Sequence, residues 1–196
     1  GPPQYRLLEE MRQRGVLTMR VSALLGGPRG PQASAEEVRS TIEAFGLAPD
    51  DGDEWLRPAG VKLMVDGGYE GGLMREPYEE PYGKGGTFRG LQVTPRESYV
   101  EIVKEINRLG WRPGTHAVGD DAVEQVIAAY EAAHAETSIV GRRWVLEHGF
   151  LPSPGHFERM NALGIALTAQ HHPYVGGPAM VRYWGEDRAS RVPPLR

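Results

Sequence analysis

The feature that most constrains the fold is an alternation of short β-type runs with helical patterns that carry their own start and stop residues. Helical spacing follows capping residues such as Ser34 and Ser153, and Gly46 and Gly164 end those two segments. Five strands are predicted, over residues 16–21, 61–66, 111–116, 143–148 and 165–170. Because strands that alternate with helices in this way form parallel βαβ units, the chain is predicted to be an α/β protein with a parallel sheet.

The turns that follow the strands favour one of the two common parallel architectures. No strand leads into a glycine-rich phosphate turn, so a nucleotide-binding open sheet is weakly supported. Polar residues at strand ends fit a (β/α)8 barrel better, but a full barrel takes about 250 residues. With 196 residues and five predicted strands, the chain is predicted to be a single segment, residues 1–196, of a TIM-barrel domain that lacks the first and last strands.

Composition excludes several functional classes. The chain has 22 Lys and Arg against 26 Asp and Glu, a net charge of −4, which argues against nucleic acid or an anionic membrane as a partner. It has no cysteine, so disulfides, thiolate metal sites and a cysteine nucleophile are excluded. There is no apolar run near the ~20 residues of a membrane span, no signal-peptide pattern and no initiator Met. We expect a cytoplasmic protein of which this chain is an internal fragment.

Three predicted strands carry unusual polar residues. Lys62 lies inside an apolar strand, and His116 and His148 end the next two. In a parallel barrel, the carboxyl ends of the strands converge on one face, and two neutral imidazoles there are a ready pair of ligands for a divalent metal, most simply Zn²⁺. A desolvated lysine has a lowered pKa, and its neutral amine can be carboxylated to give a bridging carboxylate.

Each of these residues also has a simpler interpretation. A single histidine at a strand end is more often structural than a ligand. Lys62 could extend to solvent or pair with Asp66, and Glu147 could orient its neighbours. The metal interpretation rests on the joint pattern, because all three candidates occur at the same end of consecutive predicted strands.

These segments resemble successive motifs of the amidohydrolase superfamily, most closely its amidohydrolase-3 group, which includes YtcJ-like proteins and N-substituted formamide deformylase. The resemblance is carried by residues 61–67, by 116–123 and by 146–148, and residues 116–120 (His-Ala-Val-Gly-Asp) are the most specific. Residues 17–21 resemble the third barrel strand of that group, so the five strands would be barrel strands three to seven.

The resemblance implies a metal-dependent hydrolase that acts on the non-peptide C–N bonds of small amides. Lys62 corresponds to a lysine that is carboxylated in several members, and His116 and His148 correspond to metal ligands. The chain lacks the family's strand-one His-x-His pair and its strand-eight Asp, so no catalytic residue is assigned within it. We expect both features in flanking sequence, one or two divalent ions in the complete enzyme, and an inactive fragment.

Weaker candidates follow two of the strands. His171 and His172 follow the fifth strand, and Tyr69 lies in a glycine-rich segment, residues 67–90, that is long for a passive connection. All three are candidates for substrate contact. Asp66 is expected to have a structural role, and His134 and His156 are expected on the surface.

Two other functions compete with the hydrolase. The first is a non-catalytic truncated barrel that self-associates, since an open sheet leaves two unpaired edges that favour a homodimer. The second is an aldolase-type barrel enzyme in which Lys62 forms a Schiff base, which the paired histidines fit less well.

Overall fold

The computed structural model describes residues 2–192 and shows five strands alternating with helices. The strands are β1 (Val21–Gly26), β2 (Leu56–Met64), β3 (Pro113–Ala117), β4 (Val145–His148) and β5 (Ala166–Thr168). The helices are α1 (Pro2–Gln13), α2 (Ala35–Phe45), α3 (Arg96–Arg108), α4 (Asp120–Glu136), α5 (Pro154–Leu163), α6 (His172–Trp184) and α7 (Glu186–Ala189). Within residues 2–192, no helix combines the length and apolar character needed to cross a bilayer.

The sheet has the strand order of a barrel. Its strands are all parallel and lie in sequence order, β1-β2-β3-β4-β5. A doubly wound sheet reverses its strand order at a switch point, whereas a barrel adds each strand next to the preceding one. Since parallel crossovers are right-handed, an unreversed order puts the connecting helices on one face. The prediction of an α/β fold built as part of a barrel is confirmed.

The two faces of the sheet differ in burial. On one face, Leu25, Val61, Leu63 and Leu146 are 0–2% exposed and belong to a main core that also includes residues from α2 to α5. The opposite face carries Lys62, together with Met64, His116 and Glu147, all partly exposed. In a closed barrel this second face is the interior, where functional side chains meet near the carboxyl ends of the strands.

Two predicted caps fold locally as expected. Ser34 accepts a hydrogen bond from the Glu37 amide (3.2 Å), and Gly46 ends α2 in a left-handed conformation (φ 62°). Ser153 forms a capping box with His156 at the start of α5. Helix α4 has no side-chain cap of this kind, because Gly119 is its N-cap and Asp120 is already helical.

The first strand lies five residues later than predicted. Residues 16–20 form a connection in which Val16 and Met19 are 48% and 65% exposed, and the Val16 and Leu17 amides bond to the Met11 carbonyl. The strand begins at Val21 because pairing with β2 and burial of Leu25 select the following residues. β2 correspondingly begins at Leu56, five residues before its predicted start.

Helix α6 was not predicted, because Gly176, Gly177 and Pro178 interrupt its sequence. Proline within a helix lacks the N–H of the backbone ladder, and glycine disfavours helix. Burial outweighs both effects, since Met180 and Trp184 are each 1% exposed. Their side chains join Met74, Tyr78, Val118, Phe150 and Leu151 in a second cluster, which fixes the glycine-rich segment against α6.

Candidate metal centre

The strand register brings the candidate residues to one end of the sheet. His116 on β3 is level with Met64 on β2 and with Glu147 on β4, and Lys62 lies two residues earlier on β2. Because strand side chains alternate between faces, Lys62, His116 and Glu147 share one face of the sheet, the partly exposed face opposite the main core. Each of three neighbouring strands therefore contributes a polar side chain to this face near its carboxyl end.

The two histidine rings form a close pair. Their centroids are 4.4 Å apart and the ring planes are inclined at 72°. Burial lowers the pKa of His148 to about 4 and also lowers the pKa of His116. The charge of Lys62 lowers both values further, so all three groups are within electrostatic reach of one another. At neutral pH both imidazoles are uncharged, the form in which histidine binds metal.

Hydrogen bonds distinguish the two nitrogens of each ring. His116 Nε2 lies 2.9 Å from the Gly67 carbonyl oxygen, which can only accept, so Nε2 carries the proton and Nδ1 has the free lone pair. His148 Nδ1 lies 2.8 Å from the amide oxygen of Gln170, which leaves Nε2 of that ring free. Partners of this kind fix the tautomer and orientation of metal-binding histidines.

The backbone of His148 is strained. Its φ is 73°, in the left-handed region that non-glycine residues rarely adopt. Glu147 points to the same face as Lys62. Because successive strand residues alternate between faces, a regular strand would turn the next residue, His148, toward the main core. The strand ends at His148, the residue with the positive φ, and the ring of His148 contacts that of His116. Residues held in such conformations cluster at functional sites.

Lys62 is paired with Glu147 rather than with Asp66. The Lys62 ammonium and the Glu147 carboxylate are in direct contact, with side chains 32% and 18% exposed. Burial lowers the pKa of Lys62 to about 8, and the contact with Glu147 opposes that shift because it favours the ammonium. The pair keeps a titratable amine near the imidazoles.

Asp66 connects the loops that surround the pair. Its buried carboxylate accepts hydrogen bonds from the amides of Leu73 (2.9 Å), Val118 (3.0 Å) and Gly119 (2.8 Å), and it lies 3.6 Å from His116 Nε2. Burial raises the pKa of Asp66 to about 7, and the three amides oppose the rise. These contacts agree with the structural role expected from the sequence.

The three weaker candidates, His171, His172 and Tyr69, lie in the segments that follow β5 and β2. His171 and His172 are exposed at the start of α6, with their rings stacked 5.3 Å apart. His172 lies near enough to lower the pKa of His148 by its charge. Tyr69 is half-buried, and its carbonyl accepts a hydrogen bond from Trp184 Nε1 (2.9 Å).

Sequence reasoning missed two features of this region. Gln170 contacts His148, and its position at the end of the predicted fifth strand was the available signal. His156, expected on the surface, is 5% exposed and bonds through Nε2 to Glu124 at 3.0 Å. Its capping box holds the ring against α4, which local sequence does not reveal.

The donor set fits part of a divalent centre. Two neutral imidazoles with free lone pairs are suitable ligands for zinc, while the Lys62 ammonium has none to offer until it is carboxylated. Over the part of the chain that the structure describes, no group of three or more His, Cys, Asp or Glu side chains could hold a metal ion. A closed site therefore needs ligands in addition to these.

The fold and the site together define a barrel-type α/β protein with imidazoles at its strand ends. Comparison gives the family: the amidohydrolase family model matches residues 1–196, so the chain belongs to the amidohydrolase family. The resemblance found in the sequence is confirmed.

Individual relatives agree with this assignment. An N-substituted formamide deformylase from Arthrobacter pascens is 26% identical over 67% of this chain. Protein LONG AFTER FAR-RED 3 from Arabidopsis thaliana is 28% identical over 69% of it. A crystal structure of a metal-dependent hydrolase from Pyrococcus furiosus is 31% identical, covers 95% of this chain and superposes with a TM-score of 0.74. The aligned part is 22–23% of the two curated relatives and 36% of the solved chain.

Proposed function

We propose that this chain supplies part of the divalent-metal centre of a hydrolase that cleaves non-peptide C–N bonds in small amides. The observation that carries the proposal is the pair of neutral imidazoles, each with one ring nitrogen free, at the ends of adjacent strands. The names of the relatives, a deformylase and a metal-dependent hydrolase, support the same chemistry.

His116 and His148 would hold the metal, and zinc is the ion that suits the imidazoles best. A divalent ion bound there would lower the pKa of a bound water to ~7 and polarise the amide carbonyl. His116 would bind through Nδ1 and His148 through Nε2, since the other nitrogens are engaged. Gln170 and the Gly67 carbonyl would keep both rings in that orientation.

Lys62 would join the site as a carbamate. With a pKa of about 8, roughly a tenth of the amine is neutral at pH 7. The neutral Nζ attacks CO2, an N–C bond forms, one C=O electron pair moves to oxygen, and Nζ releases a proton to Glu147 or to water. The product is a carboxylate that has lone pairs for a metal.

The remaining residues would serve the substrate. We propose His171, His172 and Tyr69 as substrate contacts, because they lie in segments that follow the strand ends. The ligands that close the site, and the general base, would come from parts of the barrel domain other than this chain, and the complete enzyme would be cytoplasmic.

A second candidate is a non-catalytic module that associates with itself. Within residues 2–192, β1 and β5 each pair with only one strand, and the face that carries Lys62 is partly exposed. Such edges favour a homodimer. Sedimentation and metal analysis of the whole gene product distinguish the two: a stable dimer without bound metal favours the module.

The test of the hydrolase is metal content in the whole gene product that contains this chain. We expect one or two divalent ions per molecule, and at least tenfold weaker zinc binding after His116→Ala or His148→Ala. His134→Ala is the matched control, because that partly buried histidine lies on α4 and only accepts a hydrogen bond from Ile139 N. Unchanged stoichiometry and affinity in both site variants would reject the ligand assignment.

A further inference from the structure

A cavity of about 580 Å³ lies at the amino ends of the strands, opposite the histidine pair. It is formed where the chain enters the three inner strands: Arg57 is the second residue of β2, Arg112 precedes β3, and Arg142 and Arg143 precede β4. Cavities of this size are typical of small-molecule sites.

The charge in this cavity is unbalanced. Four arginines line it against one acid, Asp50. Arg112 lies 3.7 Å from Asp50. Over residues 2–192, no carboxylate oxygen lies within 4 Å of a guanidinium nitrogen of Arg57, Arg142 or Arg143, and Arg57 donates instead to the Ser22 hydroxyl (3.3 Å). The cavity is strongly cationic in a chain whose net charge is −4.

Neutral acceptors hold the arginines in place. Arg142 donates to the Asn107 side-chain oxygen and to the Trp111 carbonyl (3.1 Å), and Arg112 donates to the Ala59 carbonyl. Burial lowers the pKa of Arg142, with no acid to offset it. The guanidinium groups of Arg142 and Arg112 are thus held in place, and among the described residues Arg142 has no acid beside it.

The backbone around the cavity is also unusual. Asp50 (φ 61°) and Arg143 (φ 53°) are two of the four non-glycine residues with positive φ among the described residues, and His148 is another. Strained residues persist where the surrounding structure enforces them, often at binding sites. Like-charged side chains repel, so several guanidinium groups around one cavity are best explained by an anion that binds between them.

We propose that this cavity binds a small polyanion of the di- or triphosphate class. Guanidinium groups bind phosphate oxygens through paired N–H donors, and a chain of phosphates can contact several arginines at once. The concave shape favours a small molecule over a nucleic acid. Because this end of a barrel is remote from the catalytic face, the site would act on stability or regulation and is independent of the proposed hydrolase.

Calorimetric titration of the 196-residue chain with tripolyphosphate, at constant ionic strength and without divalent ions, tests the proposal. We expect saturable 1:1 binding, at least tenfold tighter than that of orthophosphate. Arg57→Gln combined with Arg143→Gln should weaken it at least tenfold, since both side chains are exposed and removal of their charge leaves the core intact. Arg6→Gln with Arg182→Gln, an equal charge change at exposed sites elsewhere, should stay within twofold.

A parallel titration with ATP identifies the source of the phosphates. Affinity equal to that of tripolyphosphate means that the phosphate chain alone is recognised, and tighter binding means that the nucleoside contributes. Lack of saturable tripolyphosphate binding, or equal losses in both double variants, would overturn the proposal. Arginine modification by phenylglyoxal, mapped by mass spectrometry, needs no variant: tripolyphosphate should protect Arg57 and Arg143 but not Arg182.

Discussion

The main core and the second cluster are both well buried, but they draw on different kinds of sequence. The main core is built from strands and helices whose apolar residues repeat with regular spacing, such as Val123, Val126, Ile127 and Tyr130 on α4, each 0% exposed. The second cluster joins a glycine-rich irregular segment to α6 through Tyr78 and Trp184. Regular spacing makes a core predictable, whereas a cluster between irregular segments depends on contacts between distant residues.

The main core and the second cluster also differ in their side-chain hydrogen bonds. In the main core, the Thr115 hydroxyl on β3 bonds to the Tyr99 hydroxyl (2.8 Å) and accepts a hydrogen bond from the Tyr130 hydroxyl (2.9 Å). In the second cluster, Tyr78 donates to the Gly72 carbonyl (2.8 Å) and Trp184 to the Tyr69 carbonyl. Local opening is expected first where fewer apolar contacts support the backbone, so we expect the second cluster to open while the main core stays folded.

The largest expected effect separates the two clusters directly. Leu146→Ala empties a fully buried position in the main core and should lower the global free energy of unfolding by about 3–4 kcal/mol. Met180→Ala, at a position 1% exposed in the second cluster, should instead raise amide hydrogen exchange across residues 67–90 with a smaller global change. Denaturant unfolding and hydrogen-exchange mass spectrometry of both variants measure these effects. If both variants lost the same global free energy of unfolding, the two clusters would form one cooperative unit.

A smaller effect is expected at Asp66, which connects the two regions. Asp66→Ala leaves the Leu73, Val118 and Gly119 amides without their acceptor, which should destabilise the fold by about 2–3 kcal/mol. Asp66→Asn keeps one acceptor oxygen and should recover part of that loss. Equal stability of the alanine variant and wild type in thermal unfolding would show that the connection contributes nothing.

The smallest effect depends on pH and involves Glu124, where the glycine-rich segment meets α4 and α5. Glu124 accepts hydrogen bonds from Arg159 (2.8 Å) and His156 (3.0 Å) and lies 3.5 Å from Arg75. The bond from Arg159 contributes most to lowering the pKa of Glu124 below 4.5. The resulting stability is therefore present above pH 4.5 and is lost as the pH falls through the folded-state pKa.

Glu124→Gln should accordingly lower stability at pH 7 by about 0.5–1 kcal/mol, a value reduced by partial solvation of the carboxylate. The gap to wild type should narrow as the pH is lowered from 7 through the folded-state pKa. Glu158→Gln, an exposed change on α5, is the control. Chemical unfolding over this pH range measures the gap, and a gap that does not narrow would contradict the assignment.

Prediction from sequence succeeded where local information is sufficient. Ser34 and Ser153 bond to amides three residues away, so their helices could be located from the sequence. The strand-end positions of His116 and His148 follow from strand and helix alternation together with the geometry of parallel sheets. It failed at β1 and α6, where partners far along the chain, such as Leu56 for Val21 and Tyr69 for Trp184, select the structure.

The sequence by itself determined the order of strands and helices, the parallel class of the sheet and which polar residues end its strands, because caps and hydrophobic periodicity act over a few residues. Only the tertiary structure decided that Lys62 pairs with Glu147, which nitrogen of each imidazole is free, and that arginines from three strand entries surround one cavity. Those features depend on strand register, burial and the directions of individual side chains, and these are fixed only when distant segments pack together.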